Sequence, residues 1–211
     1  MRRRNPSAGA RLLALAVALA APAAAHAQAA SLACDPAKEM DDAAIQLRDR
    51  GQIDAALVKA QAGLAAHPDG FRANYITATL LLAKGDQASK SRGMALLLST
   101  EPLLRKQPPA CAVPLGWYSI YNTIGVEYYR AGNIAKSREY LLTAEKNYDK
   151  LLPDTKTKLS SNLGLMYYVT NDLKSSQAYY NRAAQLGSPT ARQKAATVSA
   201  IAAAPLKRSA N

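Results

Sequence analysis

The chain has 211 residues, 49% of them hydrophobic, with 27 basic against 15 acidic side chains and a net charge of +12. That length suits one domain of ordinary size once a leader is removed. Its two cysteines stand alone, which excludes paired-cysteine zinc binding and Cys-x-x-Cys redox chemistry.

Residues 1–27 carry Arg2, Arg3, Arg4 and Arg11 ahead of an apolar run, Leu12 to Ala20, and end in Ala25-His26-Ala27. These are the features of a signal peptide cut after Ala27. The apolar run falls short of the ~20 residues a bilayer span needs, so no membrane span is expected. A twin-arginine leader would place bulky apolar residues where Asn5-Pro6-Ser7 stand. The mature chain is therefore expected to begin at Gln28 and to work outside the cytoplasm, in a bacterial periplasm. An outer-membrane lipoprotein or a secreted protein is the alternative: Ser31-Leu32-Ala33-Cys34 resembles a lipidation site, although Ser31 stands where leucine is expected. Four of the 27 bases leave with the leader, and 23 remain against 15 acids. Acids crowd residues 28–70, whereas none follows Asp172. This dipolar balance favours an acidic partner or an anionic envelope surface. Nucleic acid is not expected as a partner of an exported chain.

After a linker at 28–35, residues 36–105 read as two helix-turn-helix units. Gly51 to Gly85 is 34 residues, and so is Pro68 to Pro102. The second helix of the second unit looks poor, with Lys90 where a small residue is expected and Leu97 where alanine usually sits. A proline-rich link, "KQPPACAVPLG" at 106–116, reads as a loop. Residues 117–187 then repeat themselves: Gly125, Tyr128-Tyr129, Asn133, Ser137, Tyr140 and Ala144 match Gly164, Tyr167-Tyr168, Asp172, Ser176, Tyr179 and Ala183, each pair 39 apart. Apolar residues at i, i+4 and i+7 make each copy two amphipathic helices. Residues 188–204 read as a capping helix with Ser188 as N-cap and Pro189 at its first position, and 205–211 as a basic disordered tail.

Leu163-Gly164, Tyr167, Asn171-Asp172, Tyr180 and Ala183 carry the marks of the tetratricopeptide repeat, and residues 36–187 as a whole resemble that family. The resemblance implies an all-α fold, a right-handed α-α superhelix of stacked hairpins with a concave groove lined by the first helix of each unit. Laid on this chain, it makes Asp41, Ile45, Arg48, Arg72, Tyr75, Thr79, Leu82, Asn122, Val126, Tyr129, Lys158, Ser161, Leu165 and Tyr168 the groove candidates. Ten of the eleven tyrosines lie between 118 and 180. Tyr128, Tyr140, Tyr167 and Tyr180 read as layer-filling core, whereas Tyr129 and Tyr168 read as groove anchors. The carboxylate clamp of co-chaperone relatives does not carry over, because Asn122, Val126 and Asn162 match it at one position only.

No constellation demands catalysis. His67 is the only histidine beyond the leader, and no phosphate loop or nucleophile elbow appears. The expected protein is not an enzyme and has no cofactor or metal. Cys34 and Cys111 are candidates for a disulfide in an exported chain. The expected role is a protein-protein adaptor or assembly factor of the cell envelope, holding a segment of another protein in its groove. The alternatives are an assembly factor of a secretion or pilus apparatus, lipid-anchored through Cys34, and a structural subunit that self-associates through its end helices.

Overall fold

Gly51, Gly85 and Gly132 adopt φ of 77°, 86° and 77°, and Asn171 takes φ 61° at the corresponding place of a fourth turn. A left-handed residue lets a helix stop and reverse within a few residues, and glycine does so without a Cβ penalty. Each turn joins two helices. The computed structural model describes residues 34–113 and 116–203. The expected leader, most of the linker and the basic tail lie outside the described residues.

The helices are α1 (Lys38–Asp49), α2 (Ile53–Ala66), α3 (Phe71–Lys84), α4 (Gln87–Leu104), α5 (Pro109–Ala112), α6 (Ser119–Arg130), α7 (Ile134–Lys146), α8 (Pro153–Val169), α9 (Leu173–Gln185) and α10 (Pro189–Ala203). They pack as hairpins α1/α2, α3/α4, α6/α7 and α8/α9, with α10 laid against α9. The fold is an all-helical repeat superhelix. Among the described residues there is no strand, and no helix is long and apolar enough to cross a membrane.

Local chemistry places the helix starts. Asp86, Asn133 and Asp172 cap α4, α7 and α9 by accepting from the backbone N–H three residues on, and Ser188 caps α10 through Ala191. Each such cap is worth about 1 kcal/mol. The 39-residue echo is a packing echo. A Cβ on Gly125 would meet Leu141 Cγ at 2.8 Å, and one on Gly164 would meet the Tyr180 ring at 2.7 Å. Both glycines let the paired helices touch.

Two sequence expectations change. The second helix of the second unit is not poor: α4 runs 18 residues and continues through Pro102. Its buried face is Ser89, Gly93, Leu97, Thr100 and Leu104, so the small residue at its start is Ser89 rather than position 90. The 106–116 link is not purely a loop, because it contains α5. Nor does it divide the core: one cluster runs from Phe71 and Leu97 through Ala112 and Trp117 to Ile120, Leu141 and Leu163. Trp117 stacks on Phe71 at 4.9 Å between ring centroids. Cys34 and Cys111 form a disulfide with their Cα atoms 5.3 Å apart, tying the start of the described chain to α5.

A candidate partner-binding groove

The front units use up most of their expected groove residues internally. Ala37 at the start of α1, and Asp41 and Ala44 on it, are buried at i, i+4 and i+7, which turns Asp41 toward α2 instead of the groove. Gly63 makes room for it: a Cβ there would lie 3.3 Å from Asp41 Oδ1. Neither Asp41 oxygen has a hydrogen-bond partner among the described residues. Burial, then repulsion from Asp35, pushes this carboxyl up to about 7, against the pull of Arg72. Arg72 is no free groove cation. It donates to Asp35, and to Asp42 at 2.6 Å. Burial works against ionisation of Asp42, but bonds from Lys38 and Arg72 outweigh it and hold that carboxyl below its ordinary value.

The other front candidates are similarly engaged. Tyr75 reaches across to α6, with its hydroxyl 2.8 Å from Thr123 Oγ1, and accepts from Ser119 at 3.1 Å. Thr79 donates to the Ile76 carbonyl. Ile45 packs against the small core of the first hairpins. Arg48 is exposed beside Asp49, and Leu82 packs on the main core.

The rear units do form a groove. Asn122 and Val126 of α6 and Lys158 and Ser161 of α8 line a cavity of about 420 Å³. Val126 also lines a neighbouring cavity of about 220 Å³ together with Tyr129 and Leu165. Six of the expected groove residues are thus brought together. Tyr168 lines neither cavity but is 41% exposed. Tyr180 of α9 lies near both Tyr129 and Tyr168. Its hydroxyl is pushed up to about 12, by burial first and then by these two rings. The core assignments stand as follows: Tyr180 is buried, whereas Tyr128 stacks on Tyr140 and Tyr167 on Tyr179, all half-buried.

Among the lining residues absent from the expected set are Asn162, Glu127 and Arg130. Asn162 Nδ2 donates to Asn122 Oδ1 at 2.9 Å across the groove floor. Their signal was available as two amides on facing first helices. The groove cations carry their own counter-charges, Lys158 with Asp154 at 2.5 Å and Arg130 with Glu127. Local charge is therefore nearly balanced, and these exposed pairs add little to stability. Among the described residues no group of three or more His, Cys, Asp or Glu could hold a metal.

Stacked hairpins, left-handed turns and small residues at the helix contacts define the fold of the tetratricopeptide repeat proteins. Solved structures of such proteins superimpose on the chain. PilF of Pseudomonas aeruginosa does so with a TM-score of 0.62 at 18% identity, covering 80% of this chain and 71% of that one. MamA RS-1, solved as its ArsTM double mutant, gives 0.59 at 14% identity over 80% of this chain and 86% of that one. A chain of the APC/C Cut9-Hcn1 hetero-tetramer gives 0.55 at 16% identity over 71% of this chain, which spans 25% of the other. At these identities the likeness is one of fold. No protein-family model and no curated protein sequence matches the chain.

Proposed function

We propose that this chain is a non-catalytic adaptor or assembly factor of the bacterial cell envelope, exported to the periplasm, that takes an extended segment of another envelope protein between α6 and α8. The observation that carries this reading is the Asn122–Asn162 pair. One amide proton and one carbonyl lone pair serve the bond between them. The Asn122 NH₂ and the Asn162 oxygen have no other partner among the described residues, so they can donate and accept. A peptide group needs one donor and one acceptor, so the pair can hold a main chain whatever its side chains are. Val126, Tyr129 and Leu165 beside it offer apolar contact to those side chains. Export rests on the leader at 1–27. The disulfide supports the non-lipidated form, since a Cys34 sulfur bonded to Cys111 is not available for a thioether.

The test is capture from an envelope extract by the purified mature protein, with Asn122→Ala/Asn162→Ala and Tyr129→Ala/Tyr168→Ala beside it. The amide pair is expected to be required, with bound partner falling at least about tenfold while helical content stays unchanged. Equal recovery by wild type and the amide double variant sinks the assignment of the groove. Removal of Tyr129 and Tyr168 is expected to weaken capture as well.

A further inference from the structure

A second surface lies on the outside of the front units, away from the groove. Between α2 and α4, above α3, runs a shallow trough of about 690 Å³ walled by Leu64, Leu81 and Leu96. Thr77 sits in its floor, 2% exposed. The Thr77 hydroxyl has no hydrogen-bond partner among the described residues. A buried polar group left unpaired in this way is uncommon in a finished interior. Alongside the trough, the outer face of α2 carries Ala55, Val58, Ala62 and Ala65, all exposed. Val58 is 66% exposed, more than any other exposed large hydrophobic residue described.

We infer that this face is where two copies of the chain meet, α2 against α2, about a twofold axis. Knob and hole lie on one helix, with Val58 about two turns before Ala65 at the trough rim. When two α2 helices run antiparallel and cross between Gln61 and Ala62, Val58 of each copy falls opposite Ala65 of the other. Each valine then enters the trough beside Leu64 and Leu96, and one rotation satisfies both contacts. Ala62 at the crossing point lets the helix backbones approach closely. Charge selects the same face. Without the leader the chain keeps 23 bases against 15 acids, and no acid follows Asp172, so two copies repel where their basic rear ends would meet. On α2 the only charged residues are Asp54 and Lys59, which cancel, and Asp54 is already held by Lys84 at 2.9 Å. α9 and α10, by contrast, present Lys174, Arg192 and Lys194 and carry no acid. Arg92 stays at the trough rim, where its head remains in water.

Sedimentation velocity of the intact, oxidised mature protein over a range of concentrations tests this. The wild type is expected to pass from monomer to dimer. Val58→Asp and Ala65→Glu, both at exposed helix positions, are expected to weaken dimerisation about tenfold or more with unchanged far-UV circular dichroism. Arg192→Glu on α10 serves as the control and keeps the dimer. Ala62→Cys is expected to form a covalent dimer on mild oxidation. A wild type that sediments as a monomer throughout, or a dimer untouched by both substitutions, overturns the proposal. Partner capture by Val58→Asp is expected to persist, which separates this surface from the groove.

Discussion

Asp41→Asn should flatten the dependence of stability on pH. In the native chain the carboxyl is fully buried and titrates at about 7 instead of its ordinary 3.8. Folding therefore takes up a proton between those values. The sign follows: this contribution to stability is fully present at and below pH 3.8, falls as pH rises, is lost by about pH 7, and is flat above it. At 1.36 kcal/mol per pKa unit, the whole drop is about 4 kcal/mol. Asparagine keeps the shape and removes the titration. Burying its amide unpaired costs about 1–3 kcal/mol, but equally at every pH, so it cancels from the comparison. Urea denaturation of both proteins, followed by circular dichroism at intervals from pH 4 to pH 8, reads the difference directly. The variant should gain about 4 kcal/mol on the wild type between the two ends. Asp42 contributes with the opposite sign, since its lowered pKa adds stability above 3.8 that is lost on acidification, but it is common to both proteins. Parallel curves across the whole range would refute the reasoning.

Two further outcomes rest on other contacts. Reducing the Cys34–Cys111 bridge, which spans 77 residues, should lower stability by about 4 kcal/mol through the freed unfolded chain, measured by urea midpoint with and without reductant; an unchanged midpoint would show that the tie contributes nothing. Arg182 forks onto Glu145 at 2.6 and 2.7 Å and lies over the Tyr148 and Tyr179 rings. Arg182→Ala should cost about 2 kcal/mol, and lysine should restore less than half of it because an ammonium cannot fork; full rescue by lysine would reduce the site to a point charge.

The hairpins could be read from sequence because their causes are local. A left-handed turn residue, a capping Asp or Asn three residues before a backbone N–H, and a small residue facing a large one lie within one unit and, in the rear pair, recur at 39. The misreadings at the groove were long-range. Asp41 and Arg72 carry the family's groove spacing, but the fate of each depends on a residue elsewhere, Gly63 for one and Asp35, 37 positions away, for the other. α4 kept its helix while shifting its buried face by one residue, which the pattern of unit lengths does not reveal. Asn162 escaped for a related reason. It pairs with a residue 40 away, one step off the repeat, so matching the copies sets it against Thr123 rather than Asn122.

These same long-range contacts decide where a partner can bind. A groove residue is useful only while its polar atoms are unspent. In the front units the polar and charged candidates are mostly consumed: Arg72 by two aspartates, Tyr75 by two hydroxyls of α6, Asp41 by burial, and the segment before α1 by the disulfide to α5. Arg72 ties the second hairpin back to the first, and Tyr75 ties it forward to the third, where one core crosses the proline-rich link. The rear first helices make few such bonds to each other. Their one direct amide contact, Asn162 to Asn122, leaves a donor and an acceptor at the groove floor. The division of labour follows from bond counting: a front braced from within holds a rear whose groove remains open for another chain.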